Sequence, residues 1–294
     1  MFTATLITAP DAATLGDDAV AGLCSRWEGE GITWLAAAEA ASFRLPALPD
    51  DADAVRADLH KAGIDLVISP GIPQPKALLV ADMDSTMIEQ ECLDELAAMA
   101  GVGDRVKAIT VRAMNDEIGF EEALDERVAL LRGHPASLID AVIANRITLM
   151  PGGPALIATM KGHGAYTVLV SGGFLPFTGH VAAMLGFDAH YGNDLLIEDG
   201  RFTGAVGKPV LGRDTKLETL RATAASRGLD LADTMAVGDG ANDLAMLKAA
   251  GMGVALHAKP VVAAASDIQI NHGDLTALLY LQGYSKAEFS LPAS

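Results

Sequence analysis

The chain has 294 residues, half of them hydrophobic, enough for one large domain or two ordinary ones around a substantial core. Its formal net charge of −17 excludes general affinity for nucleic acid or an anionic membrane surface, since both need clustered Lys and Arg. The two cysteines, Cys24 and Cys92, offer neither a disulfide framework nor zinc-ligand spacing, and no apolar run is long enough to cross a bilayer. The first twenty residues carry Asp11, Asp17 and Asp18 but no Lys or Arg, so they lack the basic and apolar regions of a signal peptide. The expectation is a soluble cytoplasmic protein.

In chain order, the first predicted elements are a strand at Ala4–Thr8, a helix at Asp17–Glu28 and a strand-like run at Ile32–Ala37. A helix at Ala52–Ala62 and a strand at Ile64–Ser69 follow. Pro70-Gly71-Ile72-Pro73-Gln74-Pro75 then reads as a linker, because three prolines in six residues cannot sit inside a sheet. Residues 1–75 are therefore expected to form a small α/β module, and 76–294 a second unit. The second unit opens with Ala77-Leu78-Leu79-Val80-Ala81, a buried strand that ends in Asp82. A helical region of about 89–150 comes next, with apolar residues at helical spacing (Leu93, Leu96, Ala97; Ala123, Leu124, Val128, Leu131) and Gly101, Gly103, Gly119 and Gly133 as punctuation.

After Pro151-Gly152-Gly153, strands alternate with helices. Tyr166–Val170 leads into Ser171-Gly172-Gly173. Leu195–Ile197 and Arg201–Gly204 form a predicted hairpin across Asp199-Gly200, a pair suited to a tight turn. Thr215–Arg227 is a predicted helix, Thr234–Gly238 a strand ending in Asp239, and Asn242–Ala250 the helix after it. Gly253–Leu256 and Asp267–Ile270 are short strands. This alternation implies a mostly parallel, Rossmann-like α/β sheet, in which ligands bind beyond the carboxyl ends of the strands. Asp82, Asp84, Ser171 and Asp239 all fall at such ends.

Buried acids need partners, because losing hydration is costly. A divalent metal would supply one and leave a carboxylate free as a nucleophile. Each motif alone has a blander meaning: a turn or helix cap for Asp82-Met83-Asp84-Ser85-Thr86, a common turn for Ser171-Gly172-Gly173, a solvated lysine for Lys216, an N-capped helix for Gly238-Asp239-Gly240-Ala241-Asn242-Asp243. His163, His180, His190, His257 and His272 show no pairwise ligand spacing.

Together, in this order, the four motifs resemble those of the haloacid dehalogenase superfamily, and more closely its phosphoserine phosphatases. Glu91, Met114, Phe120 and Arg127 in the helical insert match positions that close over the amino acid in that family, and Gly207-Lys208-Pro209 also fits its pattern. One departure is Gly119, where many relatives carry an acid before the cap phenylalanine. The resemblance implies Mg²⁺-dependent hydrolysis of phosphoserine, the closing step of serine biosynthesis, through an aspartyl-phosphate. It implies Asp82 as nucleophile and Asp84 as general acid and base. Asp82, Asp84 (through its carbonyl) and Asp239 would hold Mg²⁺, with Asp243 in or near that shell. Ser171, Gly172 and Lys216 would bind the phosphoryl oxygens, and Asn242 would hold Lys216 or the phosphate surroundings. Glu91 would take the substrate ammonium, Arg127 its carboxylate, and Met114 and Phe120 the lid. The first 75 residues resemble the extra, sometimes ACT-like module of longer members, with packing, dimerisation or serine sensing as possible roles. A phosphatase or phosphotransferase of the same fold acting on another small phosphate is the alternative.

Overall fold

The computed structural model describes residues 1–114 and 117–291. The chain begins with β1 (Phe2–Thr8), α1 (Asp17–Arg26), β2 (Glu30–Ala36), β3 (Ala40–Leu45), α2 (Ala52–Lys61) and β4 (Ile64–Pro70). These strands form a four-stranded antiparallel sheet in the order β2-β3-β1-β4. One face packs on α1 and α2, where Ala4, Leu6, Phe43 and Leu66 meet Val20, Cys24, Val55 and Trp27, with Trp34 against the same cluster. The other face contributes Ile7, Leu35, Ala40 and Val67 to the main core. A sheet covered on both sides has little polar alternation, which explains why β1 is buried from Thr3 to Thr8.

β3 is the strand that sequence patterning does not announce. Ala40 and Ala41 are weak strand formers, and the connecting turn, Ala37-Ala38-Glu39, has no Gly, Pro or Asn although Ala38 sits at φ 56°.

The second unit follows: β5 (Leu78–Ala81), α3 (Cys92–Met99), α4 (Gly103–Met114), α5 (Phe120–Ala129), α6 (Leu138–Asn145), α7 (Gly153–Gly162), β6 (Tyr166–Phe174), α8 (Leu175–Leu185) and β7 (Ala189–Asn193). Then come β8 (Leu195–Glu198), β9 (Arg201–Val206), α9 (Arg213–Ser226), β10 (Thr234–Gly238), α10 (Leu244–Ala249), β11 (Met252–Leu256), α11 (Pro260–Ala264), β12 (Ile268–Ile270) and α12 (Ala277–Leu281). Six strands make one sheet in the order β12-β11-β10-β5-β6-β7, every neighbouring pair parallel. β5 and β10 are buried along their whole length, as central strands between two helical layers must be.

The order reverses at β5: the chain steps outward through β6 and β7, then returns to place β10 on the other side. That is the switch point at which such sheets bind ligands. The helices α3–α6 form an insert whose two connections pair at Ile88 and Leu149. The hairpin β8–β9 turns at Asp199 and Gly200, both at positive φ, and docks on the insert: Gly133 N–H donates to Phe202 O, and Ala136 N–H to Gly200 O, each at 2.8 Å. α8 and β7, for which the sequence pattern gave no separate signal, complete that edge of the sheet. No helix among the described residues is long and apolar enough to cross a membrane.

Candidate active site

Registered pairing of β5 with β10, Ala81 opposite Val237, delivers Asp82 and Asp239 side by side beyond the strand ends. β6, on the other flank of β5, delivers Ser171. Asp82 is 5% exposed, and its Oδ1 accepts the Met83 N–H at 2.8 Å. Lys216, 2% exposed on α9, bridges Asp82 Oδ1 at 2.7 Å and Asp243 Oδ1 at 2.6 Å. Burial disfavours the ammonium, but the two carboxylates outweigh it and hold Lys216 protonated. Burial, with Asp243 nearby, raises the Asp82 carboxyl well above its ordinary range against the pull of Lys216.

Asp84 has a different setting. Its Oδ1 accepts the Cys92 N–H at 2.9 Å, and its Oδ2 accepts the Ser171 hydroxyl at 3.0 Å. Burial raises its carboxyl as well, which favours the protonated form. Ser171 is thus engaged with Asp84 and with the Gly173 N–H at 2.8 Å, while Gly172 lies beside it. Gly173 has no room for a side chain: a Cβ there would lie 2.9 Å from Asp84 Oδ2.

Asp239 is buried, accepts the Thr86 hydroxyl at 3.2 Å, and has Lys259 at 4.0 Å. Burial and Asp243 raise its carboxyl. Asp243 is committed on both oxygens, to Lys216 and, at 2.9 Å, to the Gly240 N–H. A Cβ at Gly238 would meet Asp243 at 2.4 Å, so only glycine lets that carboxylate pass beneath β10. Lys216 is therefore held by Asp243 and Asp82. The Asn242 carboxamide lies against Gly240, so of its two expected roles, holding Lys216 falls to the carboxylates, while holding the phosphate surroundings stays an expectation.

Asp82, Asp239 and Asp243 offer carboxylate oxygens within 4.8 Å of one another. An all-oxygen donor set with one neutralising lysine fits a hard divalent cation, which would offset the cost of burying these carboxylates and their mutual repulsion. Since Asp243 is already engaged, Asp82 and Asp239 are the side chains with oxygens to spare.

The insert places its residues above this cluster. Ser85, at φ 56°, donates its hydroxyl to Glu91 Oε1 at 3.0 Å. Glu91 opens to solvent on one side, yet the surrounding protein and then Asp84 push its carboxyl up to about 7. Arg127 donates Nε–H to Ala123 O at 3.2 Å and lies within electrostatic reach of Asp94 and Glu91. Phe120 reaches across to the core: a Cβ at Gly172 would be 3.4 Å from its ring. A cleft of about 450 Å³ opens between Phe120 and the Gly212–Thr215 segment. Met114 ends α4, and its side chain lies outside the described residues.

Asn193 escaped sequence reasoning. It is 2% exposed, donates Nδ2–H to Gly172 O at 2.8 Å and to Leu211 O at 3.3 Å, and accepts the Leu211 N–H at 2.7 Å. It thereby ties the Ser-Gly-Gly turn to the segment leading into Lys216. No motif marks it; a lone asparagine at a strand end gives no signal until its partners are known.

Sheet and site together define the class: residues 79–248 match the haloacid dehalogenase-like hydrolase family, and the chain belongs to it. A hydrolase of that class from Salmonella enterica has a solved structure that superimposes with a TM-score of 0.85 at 30% identity, covering 95% of this chain and 97% of that one. Within the class the chain falls among the phosphoserine phosphatases. It is 44% identical to that of Haemophilus influenzae, over 76% of this chain and 71% of the relative. It is 41% identical to that of Archaeoglobus fulgidus, over 76% of this chain and 65% of the relative.

Proposed function

We propose that the chain hydrolyses O-phospho-L-serine to serine and phosphate, using Mg²⁺, in the cytoplasm. The observation that carries this reading is Lys216 buried between Asp82 and Asp243, next to Asp239, beneath an insert that presents one acid and one arginine. The names of its relatives point to the same substrate.

Asp82 attacks phosphorus, forming a phosphoaspartyl bond while the phosphorus–oxygen bond to serine breaks. Asp84 gives its proton to the departing serine oxygen. It then takes a proton from the water that attacks the phosphoaspartyl phosphorus, which frees phosphate and restores Asp82. Mg²⁺, bound by Asp82, Asp239 and the Asp84 main-chain carbonyl, would offset the repulsion between the nucleophile and the phosphate dianion. Lys216 supplies a point charge to the phosphoryl oxygens, and Ser171 and the Gly172 N–H supply hydrogen bonds. Glu91 meets the substrate ammonium, and the Arg127 fork its carboxylate. Phe120, with Met114, excludes water.

The test is phosphate release from L-phosphoserine beside sugar, nucleotide and aryl phosphates, each with Mg²⁺ and with EDTA. Metal-dependent preference for phosphoserine supports the whole reading. Preference for another phosphate would keep the chemistry and discard the roles of Glu91 and Arg127. Residues 1–75, as one module beside the 76–294 phosphatase unit, serve packing or dimerisation in this reading, and titration of the chain with serine is expected to show no binding beyond that at the active site.

A further inference from the structure

Three side chains that are far apart in the sequence meet where the N-terminal sheet abuts the catalytic sheet. His60 lies in the last turn of α2, Asp65 on β4, and His272 in the turn after β12. His272 Nε2 is 3.0 Å from His60 Nδ1, with ring centroids 4.7 Å apart. Ligand atoms of all three residues lie within 4.8 Å of one another. Asp65 is 3% exposed. Its carboxylate accepts the Asn271, His272 and Gly273 N–H groups at 2.9, 2.9 and 2.8 Å, two of them on Oδ2. A carboxylate has about four acceptor positions, so one remains, on Oδ1, and the three bonds fix where it points.

We propose that His60, Asp65 and His272 form a second metal site, for a borderline-soft divalent ion such as Zn²⁺, distinct from the oxygen-only cluster at Asp82 and Asp239. Imidazole nitrogens with a carboxylate suit zinc, whereas carboxylates alone suit magnesium. With zinc–nitrogen bonds of about 2.0–2.1 Å, nitrogens at this separation subtend roughly 95° at a shared ion, an angle that exposed His60 can widen. Without the ion, a proton fills the same role: His272 Nε2–H donates to the His60 carbonyl at 2.9 Å. Binding moves the hydrogen of the neutral His272 ring to Nδ1 and turns the Nε2 lone pair to the metal. Because His60 and Asp65 belong to one sheet's unit and His272 to the other's, the ion staples the two together, with water completing its shell on the exposed side.

The experiment uses the full chain with Mg²⁺ at saturation, titrated with Zn²⁺ by calorimetry and with Co²⁺ by visible absorption. We expect one further equivalent to bind, with the intense bands of low-coordinate Co²⁺. His60→Asn and His272→Asn should each weaken binding by about tenfold or more. His60 is exposed, so its variant tests the site even where His272→Asn disturbs the turn. No binding beyond Mg²⁺, or unchanged affinity in His60→Asn, overturns the assignment.

Discussion

At the residue scale, the site depends on carboxylates of one chemical type placed in different surroundings. Asp82 faces Lys216, whereas Asp84 is turned toward Ser171 and the Cys92 N–H. Replacement of Asp82 by Asn should abolish phosphate release, since the amide is no nucleophile. Asp84→Asn should lower kcat by about 10²–10⁴-fold, the usual worth of a general acid–base group. Glu91 gives a pH signature. Its carboxyl is raised to about 7, and only the ionised form pairs with an ammonium. kcat/KM for phosphoserine should therefore fall as pH drops through that value. Glu91→Gln should be slower at neutral pH and should lose the part of the acidic decline that is specific to phosphoserine over an aryl phosphate. Asp82 and Asp84 were legible because they sit in a contiguous motif at a strand end, and Glu91 only through the family resemblance. The bonds of Asn193, Thr86 and the His60–His272 pair were not: the partners lie 21, 153 and 212 positions apart, and only the folded sheet brings them together.

At the element scale, the parallel strands other than β7 and the α3–α6 insert followed from alternation and helical spacing, and the β8–β9 hairpin from Asp199-Gly200. β3 did not, for want of a turn residue at Ala38. What patterning could not supply was docking, such as the hold of the hairpin on the insert or the tie from β7 to two loops through Asn193. Asn193→Ala removes that tie and leaves the Leu211 N–H unpaired, a loss of about 1–3 kcal/mol for a buried group. The expected outcome is a lower melting temperature together with a reduced kcat, as Ser171 and Lys216 lose their common anchor. An unchanged kcat in a destabilised variant would restrict Asn193 to a packing role.

At the scale of the whole molecule, the N-terminal sheet shares its core with the catalytic unit. Buried Glu39, between β2 and β3, accepts the Tyr280 hydroxyl at 2.6 Å and pairs with Lys286, while Asp65 holds the turn at 271–273. Glu39→Ala removes the acceptor of the buried Tyr280 hydroxyl and should cost about 1–3 kcal/mol. A chain lacking residues 1–75 would expose the apolar surface that now meets Ile7, Leu35 and Val67, and is expected to aggregate or to unfold at lower denaturant. Normal stability of such a truncation would show that the shared core is dispensable.

Both of the chain's tryptophans, Trp27 and Trp34, lie in that first sheet unit. Tryptophan emission, excited at wavelengths that Tyr166, Tyr191, Tyr280 and Tyr284 do not absorb, therefore reports that unit and not residues 76–294. Heating the protein while following this emission and residual turnover separately records the two units with independent signals. Coincident transitions would mean that the seam makes them one cooperative unit.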